Sequence, residues 1–231
     1  MRFGMWLFLA TEVMLFGGLF TAYAVYRAVY PAVFHEGSRQ LDLVLGGINT
    51  LVLMVSSITM AVAVTRGRSG HPRWWLVLTA VLGLLFMAIK GVEYQRHITE
   101  GVRADLFMVA YFTLAGLHAV HLTAAIAVVV VLAVRAVRPM TYELAGLYWH
   151  FVDVIWLMLV ALLYLVPWQP LALVVAAGVG LLIAWFFMGL WRASHGLPRL
   201  AAAAGVVWLG FLIVGTLDDV LTRSWLAIPG K

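Results

Sequence analysis

The feature that most constrains this chain is the stretch 146–165, GLYWHFVDVIWLMLVALLYL, an apolar run of bilayer-crossing length that carries His150 and Asp153 inside it. Ionisable side chains are expensive in hydrocarbon, so these two must face protein or water rather than lipid. On a helix they stand at i and i+3, on one face. The stretch therefore reads as an interior helix of a bundle, and the rest of the chain can be read by asking what packs against it.

The same kind of run recurs. With 65% hydrophobic residues, 11% charged residues and a mean hydropathy of +1.02, the 231-residue chain reads as an integral membrane protein. Seven spans are expected, at 3–26, 43–64, 74–94, 106–134, 142–166, 170–191 and 200–217. Each should be α-helical, because no sustained period-2 alternation supports a barrel and an open strand could not satisfy its backbone in lipid. The first run begins near Met1, contains Glu12 and lacks a small-residue cleavage site, so it reads as a retained span rather than a removable signal. Connections such as YPAVFHEGSRQ and TRGRSGHPR are short and rich in Pro, Gly, Ser and Arg, which makes sequence neighbours spatial neighbours.

The net charge of +5 comes mainly from Arg at span ends, a pattern of membrane orientation and not of a nucleic-acid patch. Arg2, Arg66, Arg68, Arg73, Arg135, Arg138, Arg192 and Arg199 fall on one side, against Arg27, Arg39, Arg96, Arg103, Arg223 and Lys231 on the other. The richer side belongs in the cytoplasm, which places the N-terminus inside and the C-terminus outside. The absence of cysteine removes thiolate metal sites, disulfides and cysteine nucleophiles together.

Five polar residues inside the spans are candidates for a buried cluster, structural or proton-related: Glu12, His118, His121, His150 and Asp153. At 1.5 Å per residue Glu12 lies about 13 Å from the inner end of its span, His150 about 12 Å, Asp153 about 16 Å and His121 about 21 Å. A carboxyl at that depth needs a proton or a hydrogen-bonding partner, and mutual pairing would offset the burial cost of each member. Glu12 can be a proton-relay residue or a hydrogen-bonded structural acid; the latter is commoner, since relays need several such groups in series. His118 and His121 invite a haem or metal reading, with His150 as a third ligand, but satisfied interior histidines are the more frequent outcome. Lys90 and Glu93, at i and i+3, are expected to form an ion pair near the outer end of their span, or to snorkel to the headgroups. The second span holds Gly46, Gly47, Asn49, Thr50, Ser56, Ser57 and Thr59, the small and hydroxylated residues of close helix packing.

The segments FLATEVMLFGGLF, INTLVLMVSSIT, LGLLFMAIKGVEY, YFTLAGLHAVHL and YWHFVDVIWLMLV occur in that order. They resemble, span for span over residues 3–166, the last five helices of subunit III of haem–copper cytochrome c oxidases. The resemblance makes Glu12 that family's membrane-buried glutamate and puts His118, His121, His150 and Asp153 on its other characteristic polar positions. Many subunits of this type have seven helices, the first two splayed from the rest by a lipid-filled cleft; here that pair is missing, as in five-helix bacterial forms. The C-terminal WFFMGLWRASHGLPRLAAAAGVVWLGFLIVGTLDDVLTR resembles the last two helices of the small bacterial oxidase subunit IV. It departs from that pattern at Gly189 and at Trp191–Arg192, where histidine and lysine are usual; the plainer alternative is an extra hairpin. The expected organisation is a subunit III-like domain at 1–168 followed by a two-helix tail at 169–231.

The resemblance implies a non-catalytic subunit of a proton-pumping terminal oxidase in the bacterial cytoplasmic membrane. Its partners would be subunit I in direct contact, subunit II, a respiratory supercomplex and membrane phospholipid, with haem and copper on those partners. Its role would be to stabilise subunit I and keep proton uptake intact. The residues agree independently, since a binuclear copper site needs thiolates and two haems plus copper need more histidines than these spans supply. No catalytic, cofactor or metal residue is expected on this chain. The alternatives are an equivalent subunit of a quinol oxidase or nitric oxide reductase, a membrane cytochrome b using His118, His121 and His150, and a proton channel, which would want inverted repeats or broken helices.

Overall fold

The computed structural model describes residues 2–67, 72–99, 105–135 and 138–165, with the isolated positions 174 and 178. The described residues form α1 (Arg2–Val29), α2 (Pro31–Arg39), α3 (Leu43–Gly67), α4 (Arg73–Thr99), α5 (Leu106–Val134) and α6 (Pro139–Leu163). Five of these, all but α2, are long and apolar enough to cross a membrane. The chain is an all-α, multi-pass membrane protein. The two further spans expected at 170–191 and 200–217 lie outside the described residues.

Local chemistry fixes where the helices begin. Asp42 Oδ1 accepts the backbone N–H groups of Val44 and Leu45, each at 3.0 Å, and so starts α3. Pro139 opens α6, where its missing N–H is no loss. At the far end of α5 the Arg73 side chain donates from Nε to the Ala133 carbonyl at 2.8 Å, placing a cation where the helix dipole is negative.

Short α2 is a correction to the sequence reading, which took these residues for a connecting loop. Pro31 stands in its first turn, and Phe34 is fully buried, edge-on to Tyr23 at 5.1 Å and Phe107 at 5.7 Å. Gly37 is required by closeness, since a Cβ there would overlap the Phe107 ring. The Pro, Gly and Ser residues that signal a turn locally are here the means of laying a short helix against α1 and α5.

The core forms around α6, as its interior reading implied: 72% of its most apolar window is enclosed, against 17% for α1. Small residues let large ones in. Gly46 lies under Tyr164, Gly67 under Tyr142, and Gly83 under Trp149. Trp149 and Trp156 are almost wholly buried, and each indole N–H finds a hydroxyl on α3, Ser56 Oγ at 3.2 Å and Thr50 Oγ1 at 3.0 Å. Thr59 and Thr79 share a 2.8 Å hydrogen bond across α3 and α4. The hydroxyl-rich second span is thus a packing surface, each such bond contributing about 0.6–2 kcal/mol.

Candidate functional site

Among the described residues, the paired ionisable side chains of the interior fall into three groups on different helix interfaces. One surrounds Lys90 and Glu93 on α4. Their ion pair closes at 2.9 Å with side-chain exposures of 7% and 3%, so neither group snorkels to the headgroups. The reason is that neighbours complete the coordination. Lys90 Nζ donates to Glu93 Oε2, to Tyr111 Oη at 2.9 Å on α5 and to Tyr164 Oη at 2.6 Å just past α6. Both phenols donate in turn to Glu93 Oε1, at 2.9 and 2.6 Å. All three ammonium protons have acceptors, and the Trp156 ring lies 5.1 Å from the cation.

Tyr111 and Tyr164 were not singled out in the sequence, although a signal existed. Spans alternate in direction, so the beginning of α5 and the end of α6 share the depth of the end of α4. Polar aromatics at those positions are natural partners for a Lys–Glu pair.

The second group joins α1 to α5. His121 Nε2 and Glu12 Oε2 are 2.8 Å apart, while His121 Nδ1 lies 2.8 Å from the Leu117 carbonyl. Since a carbonyl only accepts, Nδ1 carries a proton; Nε2 is then free to donate to the carboxylate if the ring is charged, or to accept from a protonated Glu12. The imidazole is edge-on to Phe16 at 5.2 Å, and Tyr148 donates to the His121 carbonyl at 3.3 Å. The pair keeps 14% and 13% of its side-chain surfaces open, in contrast to the first group.

The third group lies between α3 and α6. Ser57 Oγ and His150 Nδ1 are 2.8 Å apart, and Asp153 is 3.9 Å from the same nitrogen, within charge contact but beyond a hydrogen bond. Both side chains are 2% exposed. His118 is separate again: its ring packs 5.2 Å from Trp156 and 5.8 Å from Phe86, and among the described residues its nitrogens take no hydrogen bond. The five residues considered as one cluster are therefore divided between interfaces. Glu12 meets His121, His150 meets Asp153, and His118 faces aromatic rings. Among the described residues no three His, Asp or Glu side chains converge in the manner of a metal-ligand set.

The sequence that forms this bundle has relatives. The family model for cytochrome c oxidase subunit III matches residues 1–169, the whole described bundle and the few residues after it. The chain belongs to the cytochrome c oxidase subunit III family. It is 37% identical over 174 residues to cytochrome c oxidase subunit 3 of Synechocystis sp., covering 71% of this chain and 74% of that protein. It is 31% identical over 175 residues to the cytochrome bo(3) ubiquinol oxidase subunit 3 of Pseudomonas aeruginosa, covering 71% and 83%. Against the quinol oxidase subunit 3 of Bacillus subtilis it is 30% identical over 175 residues, covering 70% and 85%. This is thus subunit III of a haem–copper respiratory oxidase, of cytochrome c or quinol type, and it works alongside other oxidase subunits. Subunits of the family generally carry no redox centre of their own.

Proposed function

We propose that this subunit III serves a proton-pumping cytochrome c oxidase as a helical brace, stabilising subunit I, holding phospholipid at their interface and sustaining proton uptake. The observation that carries the reading is the Lys90–Glu93–Tyr111–Tyr164 network, which spends every ammonium proton on locking three helices together and leaves none to bind a ligand. In this reading Glu12, His121, His150 and Asp153 are structural or proton-related groups, and haem and copper belong to partner subunits. The chain lies in the bacterial cytoplasmic membrane with its N-terminus inside. Residues 1–168 form the subunit III module; the resemblance of 169–231 to subunit IV concerns residues outside the described ones. Subunit II and a respiratory supercomplex complete the set of partners.

The test is to purify the oxidase by a tag on this chain. Glu12→Gln should leave the haem absorption spectrum of the complex unchanged while shortening its active lifetime during turnover. A lost haem signal, or a tagged chain that elutes alone, would end the brace reading. A quinol-oxidising complex is the second reading, favoured by the similarity to the Pseudomonas aeruginosa and Bacillus subtilis proteins. Oxygen uptake by the purified complex with reduced cytochrome c, and then with a quinol, separates the two.

A further inference from the structure

Asn49 on α3, His118 on α5 and Asp153 on α6 are buried polar side chains that take no hydrogen bond among the described residues. They are 0%, 1% and 1% exposed, so bulk solvent does not reach them. In each, both polar atoms lack a partner: the amide oxygen and nitrogen of Asn49, the two ring nitrogens of His118 and the two carboxyl oxygens of Asp153. Turning the amide or the ring over would therefore pair nothing. Leaving such a group bare costs more than a hydrogen bond returns, and native interiors rarely do so.

The three lie at nearly one level of the bundle. The indoles of Trp149 and Trp156 reach Ser56 and Thr50, so α3 and α6 run antiparallel in a register that sets Asn49 level with Trp156 or its successor. His118 packs its ring 5.2 Å from Trp156 and 5.8 Å from Phe86, at the same level. Asp153 stands three residues before Trp156, about 4.5 Å along the axis. The faces agree with the level. Asp153 is one turn from Trp149 and from Trp156, on the side of α6 whose indoles reach α3. Asn49 shares its side of α3 with Gly46 and Ser56, which meet Tyr164 and Trp149.

We propose that Asn49, His118 and Asp153 hold bridging water inside the bundle, at a site between α3, α5 and α6 beside Trp156. The donor set selects the ligand. The amide presents N–H donors and an acceptor oxygen, a neutral imidazole one donor and one acceptor, and the carboxylate only acceptors. Water both donates and accepts, and a buried molecule typically makes about three hydrogen bonds. A cation would suit the carboxylate but leave the amide and imidazole N–H groups bare; an anion would suit those groups and be repelled by Asp153. The rival is a rearrangement in which the three side chains pair directly, and packing opposes it. The His118 ring belongs to a cluster with Trp156 and Phe86, whose rings are edge-on at 4.7 Å, and Trp156 is held by its bond to Thr50.

The assembled oxidase, purified by a tag on this chain, tests the site by electron cryomicroscopy at a resolution that shows ordered solvent. Water density within hydrogen-bonding distance of at least two of the three side chains is the expected result. Dry packing around them, or direct bonds from them to one another or to a partner subunit, overturns the site. A variant cycle supplies a second readout: Asn49→Leu, His118→Phe and the two together, each read as the ratio of subunit retained to subunit lost after a fixed heat step. With shared water each single change lowers that ratio, and the joint loss falls short of the product of the two by at least about threefold. Bare groups behave oppositely, because an apolar replacement of similar shape relieves their burial. Single variants that raise the ratio, or losses that simply multiply, overturn the bridging water.

Discussion

Glu93 and Glu12 are carboxylates at the middle or end of apolar helices, each against a basic side chain, and the fold treats them in opposite ways. Glu93 lies in the interior, with both oxygens occupied and residues from α4, α5 and the end of α6 around it. Glu12 stands on the least enclosed helix, held by one contact to His121 and still partly open. The difference follows from helix position rather than from residue type. A charge in the closed group must be matched on every side, because nothing else can solvate it. A charge in the open group can exchange protons or neighbours without dismantling the bundle. We read the first as a lock and the second as the adjustable contact.

The contrast is broken most directly by Glu93→Gln, which leaves Lys90 buried without its counter-charge. A loss of about 3–5 kcal/mol is expected, visible as a large fall in the thermal midpoint of the complex or as loss of this subunit during purification. The double variant Lys90→Met with Glu93→Leu should recover most of that loss, since a buried pair replaced by apolar residues is often near neutral. Its failure to do so would mean that the two tyrosines, left without partners, dominate the energetics.

A smaller effect is expected of Gly46→Ala. The new Cβ would stand 2.8 Å from Tyr164 Cε1 and must displace that ring from the network. A cost of about 1–3 kcal/mol by thermal denaturation is the expected result. The matched variant Gly47→Ala, at an open position of α3, should cost none of it. Tyr111→Phe should follow at about 1–2 kcal/mol, because Lys90 and Glu93 each lose one of several partners. The smallest change is Glu12→Gln, about 1 kcal/mol or less in thermal stability, because an amide can still hydrogen-bond His121. If Glu12→Gln proved as damaging as Glu93→Gln, the distinction between closed and open pairs would be wrong.

How much was legible in the sequence differs between these regions. Lys90 and Glu93 were paired from their i, i+3 spacing alone, but their partners come from the other two helices, 18 to 74 residues away in the chain. Glu12, His121, His150 and Asp153 were grouped by depth, which is one coordinate of three. Depth cannot say which side of a helix faces which neighbour, and the structure assigns Glu12 to the α1–α5 interface and Asp153 to that between α3 and α6. Short α2 was lost for the opposite reason: its local signals are those of a turn, and only the burial of Phe34 between Tyr23 and Phe107 makes a helix of it.

The sequence by itself determined that this protein lives in a bilayer as helices, that its ionisable interior residues must face protein rather than lipid, and to which family its ordered motifs are akin. Those conclusions depend on hydrophobic length and on the cost of a bare charge in hydrocarbon, both properties of a segment taken alone. The tertiary structure decided who pairs with whom, which pair is sealed and which stays open. Those depend on the rotation of each helix about its own axis, which is set by where small residues allow large ones to close, as at Gly46 beneath Tyr164 and Gly83 beneath Trp149.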